Sequence, residues 1–153
     1  MTIVDQSAAA SPRPSLPPNS RSGLRSRRRL DILLVEDDAS DASLIGALLA
    51  RSQHFECTVT QAPDLPTARA ALAAATFDLT ILDYWMGAEP SLALLDHPAY
   101  LRDGGLALLL SAVDVVDVRG AAMAAGARAY LHKNNLSPET LDAAIRDSLR
   151  PAD

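Results

Sequence analysis

RLDILLVEDDAS (residues 29–40) joins a run of aliphatic residues to three consecutive carboxylates, Glu36, Asp37 and Asp38. A continuous apolar run suits a strand covered on both faces, whereas a half-exposed strand alternates. Three acids at its tip repel one another, so a positive group belongs beside them. The pattern recurs downstream. FDLTIL (77–82) is another buried run and ends at Asp83; GLALLLS (105–111) closes on Ser111; ARAYLH (127–132) leads into Lys133. FECTVTQA (55–62) alternates and completes a set of five strands.

Helical spacing fills the intervals. Residues 39–52 predict a helix with Leu44, Ile45, Leu48 and Leu49 on one side and Ser40 or Asp38 as its cap. Residues 64–76 place Leu65, Ala68, Leu72 and Ala75 on a common face, with Asp64 or Thr67 at the start. Residues 89–103 read as helical with an interruption at His97-Pro98, and residues 115–125 as a helix weakened by Gly120. Residues 137–149 carry Ser137 as N-cap and Pro138 at the first helical position, with Leu141, Ala144, Ile145 and Leu149 inward. Strands alternating with helices predict one α/β domain: a parallel sheet wrapped on both sides, with its sites at the carboxyl ends of the strands.

The bulk numbers agree. A chain of 153 residues, 48% hydrophobic and 22% charged, holds one ordinary core. Residues 1–30 contain six arginines against Asp5, a net +5, which leaves −10 for the remainder. Residues 1–28, rich in Ser, Pro and Arg, are expected to be a disordered basic tail, with the folded domain spanning 29–150. An acidic domain disfavours nucleic acid, and no apolar run is long enough to span a membrane. Cys57, the one cysteine, reads as a core residue, and a cytoplasmic location is expected. His54, His97 and His132 show no ligand spacing, and His132 is expected to face outward from its strand.

The polar residues at the strand ends suit one chemistry. Acidic oxygens without nearby nitrogen or sulfur favour a hard cation, and Mg²⁺ takes one or two carboxylates plus water and phosphate oxygens. Asp83 can attack phosphorus to give an aspartyl phosphate. Such a transfer needs positioning and charge neutralisation, which Lys133 and the Ser111 hydroxyl supply on the sides away from the cation. Lys133 is the single lysine beside 13 arginines, so a compact ammonium is wanted there. Each residue also has a plain alternative: Asp37 and Asp38 as helix caps, Asp83 as a cap, Lys133 as a surface charge. Their shared edge and order weigh against coincidence.

From about Leu30 to Leu149 the chain resembles the receiver domain of two-component response regulators, through LLVEDD, DLTILDYWMG, LLLSA and AYLHKNNLS. The resemblance implies a flavodoxin-like sheet of five parallel strands in the order 2-1-3-4-5. It implies that Asp83 is the phosphoacceptor and that Glu36 and Asp37 are the acidic pair, with Asp37 favoured as direct metal ligand. The Trp85 backbone carbonyl would join Asp83 and the pair in holding Mg²⁺. Ser111 and Tyr130 would form a phosphorylation-dependent switch, and residues 114–149 the face offered to a downstream protein. The donor would be a sensor histidine kinase or phosphotransfer protein. Only self-phosphorylation and dephosphorylation would be expected, not catalysis on a separate substrate.

With four residues after Leu149, a single-domain protein acting by contact or phosphorelay is expected. Two positions depart from the family pattern. Gly87 and Asn134 stand where proline is usual, and a cis bond before Asn134 would cost about 2.5–4 kcal/mol. They keep open a pseudo-receiver that works as an interaction module without phosphorylation. A phosphatase of the haloacid dehalogenase type fits less well, since its Asp-x-Asp pattern is absent from the end of the first strand and the chain is short for a cap domain.

Overall fold

The protein is described from a computed structural model, in which residues 26–86, 89–102, 105–112 and 118–150 are described. Five strands, β1 (Arg28–Val35), β2 (Phe55–Ala62), β3 (Leu79–Asp83), β4 (Ala107–Ser111) and β5 (Ala129–His132), form one sheet. Its order is β2-β1-β3-β4-β5, and every neighbouring pair is parallel. The helices are α1 (Ala39–Ala50), α2 (Leu65–Ala74), α3 (Pro98–Arg102), α4 (Val118–Ala124) and α5 (Pro138–Leu149). The expected α/β class and strand order are both present.

The aliphatic runs are explained by two cores. Leu33 and Val35 of β1 pack with Leu82, Leu109 and the α2 residues Leu65, Ala68 and Leu72. Leu30, Ile32 and Leu34 face the other way, onto Ile81, Leu108, Leu110, the α1 residues Ile45, Leu48 and Leu49, and the α5 residues Leu141 and Ile145. Successive side chains of a strand alternate in direction, so only an unbroken apolar run can feed both layers. β2 lies at the sheet edge, and its outer positions are exposed, which accounts for its alternation.

Caps set the helix starts. Asp38 caps α1, its Oδ1 accepting from the Asp41 N–H, and Asp64 caps α2 through Thr67. Ser137 caps α5 within a capping box completed by Thr140, with Pro138 in the first turn as expected. Gly126, at φ +104, supplies the left-handed residue that ends the turn after α4.

Several expectations shift. Leu44 is 49% exposed, and Ala42 takes its place in the core. At about 100° per residue, Leu44 falls roughly 40° outside the arc of Ala42, Ile45, Leu48 and Leu49. The segment 89–103 is not one interrupted helix. Glu89–Pro90 pairs with Trp85–Met86 as a two-residue ladder, Ser91–Asp96 is 3-10, and α3 has only five residues. Pro98 opens α3 and biases His97 away from helical geometry, which separates the two turns. α5 also buries Asp142 and Ser148, while Leu149 is only half-buried. The Ser148 hydroxyl bonds back to the Ala144 carbonyl, and Asp142 accepts from the Gln53 N–H at 3.4 Å.

At the amino end, Arg28 already belongs to β1, and Arg27 donates to the Ser52 carbonyl. Residues 1–25 of the tail expected over 1–28, the substitution at Gly87 and the first turn of the helix expected at 115–125 lie outside the described residues. No described helix is long and apolar enough to cross a membrane.

Two changes test this packing by chemical denaturation. Leu108→Ala, at a fully buried position in the central layer, should cost about 2–5 kcal/mol. Ser137→Ala should cost about 1 kcal/mol through loss of the cap, with the fold retained.

Candidate functional site

Parallel strands bring their carboxyl ends to one edge, and the register sets the spacing along it. Val35 pairs with Leu82, so Glu36 and Asp83 emerge side by side where the strand order reverses. Asp83 pairs with Leu110, and Ser111 with His132, which sets Ser111 and Lys133 next along the same edge. The four expected groups therefore share one end of the sheet.

Glu36, Asp37 and Asp83 each present one carboxylate oxygen, and the three oxygens lie within 4.8 Å of one another. Glu36 is buried, Asp83 partly buried and Asp37 exposed. At such separations two carboxylates repel by about 3–4 kcal/mol at an effective dielectric of 20. Lys133 balances part of this. Its Nζ donates to Glu36 Oε1 at 2.5 Å, to Asp41 Oδ2 at 2.8 Å and to Asp83 Oδ2 at 3.2 Å. Its side chain is only 10% exposed. The other Glu36 oxygen accepts from the Asp38 N–H at 3.2 Å.

Protonation follows from this crowding. Burial pushes Glu36 up to about 7, and Asp83 adds to the effect, while the hydrogen bond from Lys133 opposes it. Burial pulls Lys133 down, yet the bonds to Asp41 and Glu36 and the charge of Asp83 together hold it above its ordinary value. The partners therefore move in opposite senses: Glu36 toward its neutral form, Lys133 toward its charged form. The asymmetry has a plain cause. Lys133 has three carboxylates to itself, whereas Glu36 has one ammonium that it must share.

Three hard oxygen donors converging within one pocket fit a small divalent cation with an oxygen preference. No soft or nitrogen ligand stands among them, and Cys57 is excluded by chemistry as well as place. Burial chiefly, with Asp142, pushes its thiol up to about 11, so it stays protonated at neutral pH.

The remaining expected residues are placed as follows. Ser111 is fully buried at the last position of β4. Tyr130 is half-buried on β5 and packs against the core layer of Leu109 and Ala122. Trp85 lies two residues beyond the end of β3, is 40% exposed and meets Tyr84 edge to face at 5.1 Å. His132 does not face outward. It is half-buried, and its Nδ1 accepts the Asn134 N–H at 3.0 Å. The bond before Asn134 is trans. Asparagine introduces an N–H that proline lacks, and His132 satisfies it, which lets the 3-10 turn Lys133–Asn135 carry the lysine inward.

Asp41 escaped the sequence reading. An acid in a first helical turn reads as a favourable partner for the helix dipole. The only further signal was its position three residues after the capping Asp38, and nothing in one dimension joins it to Lys133, 92 residues away.

Comparisons with known proteins agree with this geometry. The family model for the response regulator receiver domain matches residues 32–146. No curated protein matches. Among solved structures, a receiver domain protein (CheY-like) from Methanospirillum hungatei JF-1 is 25% identical, with a TM-score of 0.65, over 81% of this chain and 94% of that one. Chemotaxis response regulator CheY4 of Vibrio cholerae is 23% identical, with a TM-score of 0.64, over 81% of this chain and 100% of that one. A response regulator protein from Burkholderia pseudomallei, solved with a phosphorylated aspartic acid, a calcium ion and citrate, is 23% identical. Its TM-score is 0.64, over 74% of this chain and 65% of that one.

The raised Glu36 value predicts a pH dependence. The folded state holds this proton more tightly than the unfolded chain does, so the associated stability is full below the ordinary value of 4.5. It is lost as pH rises through about 7. In cation-free buffer the denaturation midpoint should fall across that window. Glu36→Gln should flatten the fall; an unchanged slope in the variant would contradict the assignment.

Proposed function

The chain belongs to the response regulator receiver domain family, and we propose that it accepts a phosphoryl group on Asp83 from a histidine kinase or phosphotransfer protein. Phosphoryl acceptance is the general function of these domains. The observation that carries the assignment to Asp83 is a single pocket. Asp83 stands there between the acids Glu36 and Asp37 and an ammonium 3.2 Å away.

In this reading the Asp83 oxygen not held by Lys133 attacks phosphorus. The P–N bond of the donor phosphohistidine breaks, its electron pair stays with nitrogen, and an acyl phosphate forms on Asp83. Glu36, Asp37, Asp83 and the Trp85 carbonyl are the groups that would hold Mg²⁺. When bound, Mg²⁺ supplies positive charge to the phosphoryl oxygens. Lys133 neutralises a further oxygen, and its position above the ordinary lysine value keeps it charged throughout. The Ser111 hydroxyl, at the end of the neighbouring strand, is assigned a third oxygen. Trp85, beside the acceptor, shields the acyl phosphate from water.

Tyr130 and Ser111 form the switch in this proposal, because one hydroxyl reaching toward the phosphoryl group alters the packing beneath a half-buried ring. The output face runs over residues 114–149, where Met123 is 44% exposed. The protein would act by phosphorylation-dependent contact or phosphorelay, in the cytoplasm. It would turn over no separate substrate.

Incubation with acetyl phosphate and Mg²⁺ tests the proposal by mass. The wild type should gain one phosphoryl group, and Asp83→Asn should gain none. Lys133→Ala should stay folded and lose the phosphorylation-linked change in Tyr130 environment. Chelation should stop labelling. A wild type that stays unlabelled would leave an interaction module working without phosphorylation.

A further inference from the structure

Lys133 uses all three of its N–H donors on carboxylates: Glu36, Asp41 and Asp83. Two of these acceptors belong to the cluster of converging oxygens, and Asp41 does not. Asp41 projects from the first turn of α1, where its backbone N–H is already engaged by the capping Asp38. Its carboxylate makes no bond back to the helix start; the Asp38 N–H goes to Glu36 instead. The Asp41 side chain is 41% exposed, against 1% for Glu36 and 12% for Asp83. It is thus the outermost of the three anchors.

We infer that Asp41 is a positioning residue, the anchor that keeps the Lys133 ammonium at the pocket when a divalent cation takes Glu36 and Asp83. The inference rests on the cation reading proposed above.

The physical reason is competition for the same oxygens. A dication among Glu36, Asp37 and Asp83 repels a neighbouring ammonium and draws away the charge that holds it. With Asp41 present, Lys133 retains a charge-assisted bond outside the cluster and stays close to Asp83. Without Asp41, its remaining carboxylate partners are the two that the cation needs. Cation binding must then strip the ammonium of its partners, so the affinity falls. Asp41 thereby allows one pocket to hold a dication and a lysine together.

Titrating the full-length protein with Mg²⁺ alone tests this, read by calorimetry and by fluorescence of Trp85, the one tryptophan. Asp41→Asn should weaken Mg²⁺ binding by about tenfold, the scale of coupling within one ion-pair network. In a Lys133→Gln background the same change should have less than about a fifth of that effect, because only the loss of a screened charge remains. Asp41→Glu should restore most of the affinity. Equal weakening in both backgrounds, no weakening, or tighter binding overturns the inference while leaving the cation reading intact. A wild type that does not bind Mg²⁺ removes both. Because Asp41 is partly exposed and the Asp38 cap uses only its backbone, the variants should fold; matching thermal unfolding in chelator verifies this.

Discussion

A shared ammonium governs this molecule. Lys133 stands among Glu36, Asp41 and Asp83, and no other cation among the described residues pairs with those three acids. The contacts to Glu36 and Asp83 compensate a repulsion that the sheet itself creates, because parallel strands must deliver their carboxyl ends to one edge, and Asp41 joins them from the first turn of α1. A protein can tolerate such crowding when the charge is useful, and here the remaining negative charge is held ready for a cation. The site is therefore a balance between one organic cation that is always present and one inorganic cation that the oxygens can accept.

The sheet makes that balance rigid. β1 and β3 sit at the centre of the order β2-β1-β3-β4-β5, with both faces covered. Glu36 and Asp83 hang directly from those two strands, so their separation is set by backbone hydrogen bonding and not by flexible loops. Lys133 arrives from the far strand through a short turn stabilised by His132 and Leu136, whose N–H bonds the Lys133 carbonyl. The aliphatic layers that look unrelated to chemistry are what hold the acids against one another.

Much of this was visible in one dimension. The runs over 30–35, 77–82 and 105–111 announced strands buried on both faces, and Ser137-Pro138 announced the start of α5. Glu36, Asp37, Asp83 and Lys133 could be grouped because each follows a strand. Other features stayed hidden for identifiable reasons. Leu44 differs from Leu48 by one turn, and a small rotation decides which of them meets the sheet. The segment 89–103 has helical composition, yet pairing of Trp85–Met86 with Glu89–Pro90 claims its first residues. His132 looked like an outward strand residue because the N–H it satisfies belongs to the turn that follows.

Sequence alone determined the layer architecture, the strand order through its resemblance, and the identity of the charged groups at the strand ends. Apolar period and residue chemistry are local properties, and they survive without coordinates. Tertiary structure decided which oxygens share the ammonium, how far Glu36 is driven from its ordinary protonation, and that Asp41 belongs to the pocket at all. Those depend on distances of a few ångströms between residues up to 97 positions apart. Coulomb energy and desolvation change steeply over such distances, and no spacing along the chain encodes them.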